Sequence, residues 1–252
     1  MMKRSGVLIQ HDVLAYETAW QLQKTLVEEL ARNLRPDTLL LLEHQPVFTL
    51  GRSTKLEHWG GDDMVLRALG CSVYQVERGG SVTYHGPGQL VGYPILRLTR
   101  YCPGPRAYMR LLEEVVIRTL AEWGIQGRRI EKLPGVWVGH DQPAKIAAMG
   151  VRIAQGVTMH GFSLNVTVDT TPFSWIVPCG IEQCDVTSMA AWLGCPVNMV
   201  EVRRRIGAIF AEVFDIHWDE VLIGVDASGA PDRRVSDLDQ TFAVKSSSPE
   251  GA

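Results

Sequence analysis

The apolar residues of this chain recur with two different periods, which predict its helices and strands. Three long stretches repeat apolar side chains every three to four residues, a spacing that puts them on one face of a helix. These stretches are residues 15–34, 105–123 and 202–214. Shorter helices are predicted at 62–69 and 187–193, and each of them ends before a glycine.

Short apolar runs between turn residues predict the strands. They occupy residues 7–9, 38–43, 73–77 and 90–98, followed by four closely spaced runs at 128–133, 135–139, 145–153 and 157–166. The spacing of the last four runs is typical of an antiparallel region. Because helices pack beside runs of adjacent strands rather than alternating regularly with them, we predict an α+β fold with a mixed or antiparallel sheet packed with helices.

The composition of the chain changes beyond Gly224. Asp, Ser, Pro, Gly and Lys then dominate, and few residues remain that could be buried. Such a composition is typical of a segment without a packed core. We predict a single catalytic domain over residues 1–224 and a polar, flexible tail over residues 225–252.

Overall composition limits the class of protein. With 252 residues, of which 46% are hydrophobic and 21% charged, the chain can bury a substantial core. Its net charge of −3 gives no sign of a nucleic-acid surface, and we find neither a secretory leader nor an apolar stretch of spanning length. Five cysteines without CxxC spacing predict free thiols in a reducing compartment. We therefore expect a cytoplasmic monomer that binds neither nucleic acid nor a membrane.

A glycine-rich segment is the strongest candidate for a binding loop. Arg78-Gly-Gly-Ser-Val-Thr-Tyr-His-Gly-Pro-Gly-Gln89 follows a predicted strand and contains four glycines within twelve residues. Glycine is favoured where the backbone takes a positive φ or approaches a ligand closely. A glycine-rich hairpin that binds nothing would have a similar composition, so that alternative stays open.

Cys179 is the candidate nucleophile, and Lys145 is the candidate for its activating cation. Cys179 stands between Pro178 and Gly180, where a tight turn can aim backbone N–H groups at an oxyanion. Lys145 begins an apolar segment, and a partly buried lysine can accept a proton from a thiol. The alternatives are a structural cysteine and a solvated lysine at the end of a strand.

Two histidines add a possible proton carrier. His85 and His160 each precede a glycine and could orient a substrate carbonyl or move a proton, or each could be a hydrogen-bonded histidine of the core. The histidines and cysteines lack metal-ligand spacing, and neither GxxxxGK[ST] nor GxGxxG is present. We expect no metal and no cofactor.

Six segments in this order resemble the lipoyl(octanoyl) transferase family, the octanoyl-carrier-protein:protein N-octanoyltransferases, over about residues 41–213. They are PVFTLGR at 46–52, RGGSVTYHGPGQ at 78–89, LPGVWV at 133–138, KIAAMGVR at 145–152, HGFSLN at 160–165 and PCG at 178–180. Each segment alone is a weak signal, whereas six in order are a strong one. The resemblance implies the fold of the catalytic domains of biotin and lipoate protein ligases.

The resemblance also implies roles for particular residues. Cys179 would carry the acyl group as a thioester, and Lys145 would activate its thiol. The substrate-binding positions would be Arg78, Gly79, Gly80, Ser81, Val82, Thr83, Tyr84, His85, Ala148, Met149, Gly150, Gly161, Phe162 and Ser163. Among them, Val82 and Met149 would line a tunnel for the acyl chain.

The implied reaction moves an octanoyl or lipoyl group from acyl carrier protein to a lysine of the lipoyl domains of 2-oxoacid dehydrogenase and glycine cleavage complexes. This is the first step of endogenous protein lipoylation, and it needs no ATP because a thioester is exchanged for a more stable amide. Both protein partners are acidic, which makes Arg52, Arg78, Arg152 and the arginines at 203–205 candidate contacts. The alternatives are an ATP-dependent lipoate or biotin protein ligase and a non-catalytic carrier-binding protein.

Overall fold

A mixed sheet of ten strands runs through the computed structural model, which describes residues 4–178, 185–225 and 231–234. The strands of this large sheet are β1 (Arg4–Leu14), β2 (Asp37–His44), β6 (Gln89–Ile95), β7 (Arg128–Ile130), β8 (Leu133–Val138), β9 (Ala144–Ala154), β10 (Val157–Asn165), β11 (Asp185–Val186), β12 (Ile216–Val225) and β13 (Pro231–Arg234). Nine of them pair in the order β13-β12-β1-β2-β6-β10-β9-β8-β7, and β11 pairs with β9. The pairs β12–β1, β1–β2 and β11–β9 are parallel, and the others are antiparallel.

Helices cover both faces of the large sheet. They are α1 (Tyr16–Ala31), α3 (Pro105–Ala121), α4 (Met189–Leu193) and α5 (Met199–Phe214), whereas α2 (Asp63–Ala68) packs against the strand Ser72–Gln75 outside this sheet. In β2, Leu40 and Leu42 pack in the core that contains α1, whereas Leu39 and Leu41 pack in the core that contains α3 and α5. The continuous apolar run of β2 is therefore that of a strand buried on both faces.

A second, smaller sheet contains the strands β3 (Val47–Leu50), β4 (Ser72–Gln75) and β5 (Val82–His85) in the order β4-β3-β5. Strand β3 pairs parallel with β4 and antiparallel with β5. Phe48, Val82 and Tyr84 pack together with Phe173 and Ile176, which belong to the segment that leads towards residue 179. The small sheet thus supports both the glycine-rich segment and the approach to Cys179.

The α+β prediction is confirmed, and the three long helices lie where the apolar period predicts them. Two features differ from the sequence-based prediction. Residues 82–85 form a strand within the segment predicted as a loop, and β12 and β13 extend the large sheet beyond α5. Strand β13 lies within the segment predicted as a tail, while the boundary at Gly224 stays a prediction. No helix of the described ranges has both the length and the apolar character needed to cross a membrane.

Candidate active site

A cavity of about 190 Å³, the central cavity, lies where the small sheet faces the large one. Its walls come from β6, β9 and β10 of the large sheet and from β5 with the glycines that precede it. The first residue of α1 and the hairpin between β7 and β8 complete the lining. Segments that are far apart in the sequence therefore meet at one cavity.

Most of the residues that the sequence analysis names line the central cavity. They are Arg78, Gly80, Ser81, Thr83, His85, Lys145, Ala148, Met149, Gly150, Gly161, Phe162 and Ser163. Gly79 lies beside the cavity, where its backbone N–H donates a hydrogen bond of 3.0 Å to the carbonyl oxygen of Val151. That bond ties the glycine-rich segment to β9.

Val82 and Tyr84 face away from the central cavity. Successive side chains of a strand point to opposite sides, so Thr83 and His85 line the cavity while Val82 and Tyr84 enter the core beneath the small sheet. Of the two residues expected to line an acyl tunnel, Met149 lines the central cavity and Val82 does not. Val82 was expected at the cavity because residues 78–89 were predicted to form a loop, and the side chains of a loop do not point alternately to two sides.

Arg78 fixes the start of the glycine-rich segment. Its side chain is buried, and its Nη2 donates hydrogen bonds to the carbonyl oxygen and to Oγ1 of Thr49 at 2.5 and 2.8 Å. Its Nη1 donates to the carbonyl oxygen of Gly79 at 3.0 Å. The guanidinium therefore holds β3 and the glycine-rich segment in a fixed relation beside the cavity.

Lys145 has an environment that differs from that of a solvated lysine. Only 3% of the residue is exposed, and its Nζ has no hydrogen-bond partner in the part of the chain that the structure describes. The Nζ atom lies 4.7 Å from the ring centroid of Trp137. Because a buried polar atom without a partner costs about 1–3 kcal/mol, this position is typical of a functional group awaiting a partner.

Gly135 allows β8 to approach β9 closely next to Lys145. Its φ is +121°, and a Cβ there would lie 2.6 Å from the carbonyl oxygen of Ala147 and 3.4 Å from Cε of Lys145. Gly135→Ala should therefore lower the free energy of unfolding by about 2 kcal/mol or more. It should also slow the acyl transfer that the resemblance implies, because the collision displaces the β9 backbone that carries Lys145. Thermal unfolding and the transfer rate measure the two effects.

Gly156→Ala is the matched control for this prediction. Gly156 has a φ of +76° but no atom within 4 Å of an added Cβ, so the substitution adds backbone strain of about 1 kcal/mol without a collision. We expect it to leave the transfer rate unchanged. Equal effects of the two substitutions on stability and on rate would contradict the role given to Gly135.

Cys179 lies outside the described residues, but both flanks of its segment are anchored beside Lys145. Pro178 and Lys145 line a small cavity of about 10 Å³ together with Thr83, Ala148 and Ser163, which also line the central cavity. On the other flank, Val186 of β11 pairs with Lys145 of β9. The chain therefore enters and leaves residues 179–184 next to Lys145.

His58 secures the first of these flanks. Its carbonyl oxygen accepts a hydrogen bond of 2.7 Å from the backbone N–H of Val177, and its Nδ1 lies 2.6 Å from Oγ of Ser81. One residue thus joins the approach to Cys179 with the glycine-rich segment. No sequence motif marks His58, because its part in the site depends on contacts between distant segments.

Gln89 determines which nitrogen of His85 carries the proton. Its Nε2 donates to the carbonyl oxygen of Tyr84 at 3.3 Å and to Oδ1 of Asn165 at 2.9 Å, so its Oε1 is the atom 2.6 Å from Nδ1 of His85. The Nδ1–H of His85 therefore donates to Gln89, and Nε2 is left as an acceptor. Asn165 Nδ2 in turn donates a hydrogen bond to the carbonyl oxygen of Thr187. The backbone N–H of Thr187 then donates to the carbonyl oxygen of Lys145.

Three buried histidines near the cavity are held in their neutral form. Burial lowers the pKa of His44 to about 4 and that of His85 to about 3, and the charge of Arg78 adds to the effect at His85. Burial also lowers the pKa of His160 to about 3, again with a contribution from Arg78. Neutral histidines keep this part of the cavity free of added positive charge at neutral pH.

Acidification should destabilise the fold before the carboxylates titrate. The pKa values of about 4, 3 and 3 for His44, His85 and His160 lie below the ordinary value of 6.5, so the unfolded chain binds more protons and the stability present above pH 6.5 is lost as the pH falls. By about pH 5 the protonation of each histidine in the unfolded chain would lower the free energy of unfolding by about 2 kcal/mol, since one pKa unit corresponds to about 1.4 kcal/mol. Unfolding measured between about pH 7 and 5 tests this, and His85→Asn should weaken the dependence. A stability that is flat over this range would contradict it.

The cavity also has lining residues beyond those predicted to bind substrate. Tyr16, Val91, Tyr93, Lys132, Leu133 and Pro134 line it, as does His160, for which the sequence left open orientation of a substrate carbonyl, proton transfer and a place in the core. Leu133 and Pro134 begin one of the six family segments, whereas no local pattern marks Tyr16 at the start of α1. His160 has a φ of +57°, and its Nε2 lacks a hydrogen-bond partner among the described residues.

Several known proteins are similar to this chain in sequence or in fold. Residues 15–211 match the family model of the lipoyl protein ligase A/B catalytic domain. The octanoyltransferase of Koribacter versatilis (strain Ellin345) is 47% identical over 213 residues, which cover 82% of this chain and 84% of that relative. The octanoyltransferase of Solibacter usitatus (strain Ellin6076) is 45% identical over 227 residues, which cover 90% of this chain and 100% of that relative.

A solved structure shows the shared fold. A chain of the bi-partite lipoate protein ligase system of Thermoplasma acidophilum matches with a TM-score of 0.68 and 16% identity, covering 90% of this chain and 89% of that chain. At this identity the likeness concerns the fold alone, and it agrees with the fold that the six segments imply. The family model and the close relatives together cover most of the sequence, so this chain belongs to the octanoyltransferase family of acyltransferases.

Proposed function

We propose that this chain transfers an octanoyl or lipoyl group from acyl carrier protein to a lysine of a lipoyl domain, through a thioester on Cys179. The acceptors would be the lipoyl domains of 2-oxoacid dehydrogenase and glycine cleavage complexes, and the reaction would begin protein lipoylation in the cytoplasm. The names of the close relatives support the octanoyl group. The donor, the acceptor and the intermediate are our inference.

The placement of Lys145 is the observation on which the proposal rests. Its buried Nζ lacks a hydrogen-bond partner among the described residues, and it lines one small cavity with Pro178, the residue before Cys179. A cysteine thiol that followed Pro178 into this cavity would supply the missing partner. The central cavity adjoins the same point and offers an enclosed space for an acyl chain.

In the first step, Lys145 accepts the proton of the Cys179 thiol, and the thiolate attacks the carbonyl carbon of the donor thioester. A new thioester to Cys179 forms as the bond to the donor sulfur breaks, and the donor thiol departs with a proton returned by Lys145. One thioester replaces another, so the step is nearly neutral in free energy. Covalent catalysis divides the transfer into two easier reactions.

In the second step, the amine of the acceptor lysine attacks the acyl group on Cys179. An amide forms, the carbon–sulfur bond breaks, and the amine proton passes to the thiolate through Lys145. The amide is more stable than the thioester, so this step drives the transfer without ATP. We assign both steps to residues 1–224 and give residues 225–252 no part in them.

A transfer assay without ATP tests the proposed function. Purified protein is mixed with octanoyl-acyl carrier protein and a lipoyl domain, and the mass of the lipoyl domain is followed. We expect octanoylation of its lysine in the absence of ATP. Modification that requires ATP and free octanoate would instead identify a ligase, the alternative that shares this fold.

A further inference from the structure

A groove beside the central cavity offers a second binding site. It has a volume of about 420 Å³ and is bordered by Arg106 and Arg110 of α3 and by residues 130–134 of the hairpin between β7 and β8. We call it the α3 groove. Lys132, Leu133 and Pro134 line both the α3 groove and the central cavity, so the two are neighbours.

Most of the cations that the sequence analysis considered for partner binding are engaged within the fold. Arg78 is buried against Thr49, and Arg203 is buried and pairs with Asp12 and Glu43 at 2.8 and 3.0 Å. Arg152 pairs with Glu77, and Arg205 pairs with Glu122. Contacts with an anionic substrate therefore have to come mainly from other residues.

The α3 groove contains two cations without a partner. Arg106 and Lys132 are exposed, and neither has an ion pair or a side-chain hydrogen bond with any residue that the structure describes. Arg110 also borders the groove and shares the buried carboxylate of Glu113 with Arg129, each at 3.0 Å. Arg129 also pairs with Glu114 at 2.8 Å, so the excess of positive charge in the groove comes from Arg106 and Lys132.

Glu131 is the one exposed carboxylate of the α3 groove. The groove lining thus has three cations, Arg106, Arg110 and Lys132, against the carboxylates of Glu113 and Glu131. Because Glu113 already lies between two arginines, Glu131 is the only local charge that opposes an anion. Its removal should strengthen anion binding, whereas removal of Lys132 should weaken it.

The hairpin holds Lys132 at the junction of the two cavities. Ile130 pairs with Leu133 across the turn, and Lys132 takes a φ of +64°. A lysine in this left-handed conformation is uncommon, since the turn would be formed more easily by glycine or asparagine. The backbone of Lys132 is thereby fixed at the mouth of the central cavity.

The chemistry of the proposed donor matches this arrangement. An acyl carrier protein holds its acyl group on a pantetheine arm, which begins at a phosphodiester and ends at the thioester. With the acyl chain in the central cavity and the thioester at Lys145, the arm can leave past Leu133 and Pro134, which line both the central cavity and the α3 groove. The α3 groove begins at that point.

We propose that the α3 groove holds the pantetheine arm of the donor and that Lys132 and Arg106 bind its phosphodiester. This proposal rests on the proposed function, and it names the site that distinguishes the carrier-bound donor from a simple thioester. An oxyanion of phosphate accepts charge-assisted hydrogen bonds from both side chains. Leu133 and Pro134 supply the apolar wall for the arm.

Two small donors isolate the contribution of the phosphate. Octanoyl-4′-phosphopantetheine carries it, and octanoyl-pantetheine lacks it. The phosphate preference is the ratio of their second-order rate constants for octanoylation of the protein. We expect a preference of about tenfold in the unmodified protein that decreases with rising salt.

Single substitutions then locate the phosphate site. Lys132→Ala and Arg106→Ala should each lower the phosphate preference about three- to tenfold, Lys132→Arg should retain it, and Glu131→Gln should raise it. Arg32→Ala is the matched control, because Arg32 is an exposed arginine at the end of α1 outside both cavities and has no ion-pair partner among the described residues. It should leave the preference unchanged.

The outcomes separate this proposal from the proposed function. If both donors react equally fast with the unmodified protein, or if neither Lys132→Ala nor Arg106→Ala changes the preference, the groove assignment is wrong while the transferase stands. If neither donor octanoylates the unmodified protein and acyl carrier protein does not either, the proposed function fails and the groove assignment fails with it.

Discussion

Cys179→Ala should reduce octanoyl transfer by at least about a thousandfold while the protein still folds. Alanine removes the sulfur that would carry the acyl group, so both steps are lost together. In the sequence Cys179 stands between Pro178 and Gly180, and beyond its segment β11 pairs with β9 at Lys145. Transfer rates from octanoyl-acyl carrier protein measure the effect, and thermal unfolding checks the fold.

Cys195→Ala provides the matched control for that substitution. Cys195 is an exposed free cysteine located away from the central cavity. Its replacement should leave the transfer rate within about twofold of the original, since surface substitutions away from a site have small effects. Transfer by the Cys179→Ala protein at a rate near that of the Cys195→Ala protein would remove Cys179 from the mechanism.

Lys145→Ala should slow the octanoylation of the protein by about a hundredfold or more, the usual contribution of a positioned proton acceptor. The pH at which iodoacetamide begins to label Cys179 should also rise, because the thiolate loses the cation beside it. Lys145 is suited to this role because its Nζ is buried and has no hydrogen-bond partner among the described residues.

Lys145→Arg separates proton transfer from the effect of positive charge. A guanidinium stays protonated, so it can stabilise a thiolate but cannot accept the thiol proton. We expect Lys145→Arg to label with iodoacetamide at a lower pH than Lys145→Ala while its transfer stays slow. An unchanged labelling profile in both variants would show that Lys145 does not act on Cys179.

The long helices and the core strands could be predicted from the sequence because the spacing of their apolar residues reflects which faces of each element are buried. The four leucines at 39–42 pack alternately on the two sides of the large sheet, as a buried apolar run requires. Strand β12 was missed because Asp219 and Glu220 interrupt its apolar residues. Parallel pairing with β1 stabilises β12, and such pairing depends on a partner that is distant in the sequence.

The candidate site was predicted in part, and the missing part has a physical cause. Motifs mark residues whose backbone or chemistry is unusual, so they indicated Arg78, Lys145 and the glycines. They do not mark Tyr16 or Tyr93, which look like ordinary core residues until β6 and the start of α1 meet at the cavity. They also did not show that residues 82–85 form a strand, whose side chains point alternately to its two sides. For this reason Val82 was expected at the cavity, although it packs in the core beneath the small sheet.

The central claim is that the acyl group passes through Cys179, and intact-mass spectrometry tests it most directly. The protein is mixed with octanoyl-acyl carrier protein in the absence of ATP, and the adduct is mapped by peptide analysis. We predict one octanoyl group on Cys179 that hydroxylamine releases and that a lipoyl domain accepts. Transfer to the lipoyl domain with no adduct on Cys179 at any time, or an adduct that the lipoyl domain never accepts, would contradict the claim.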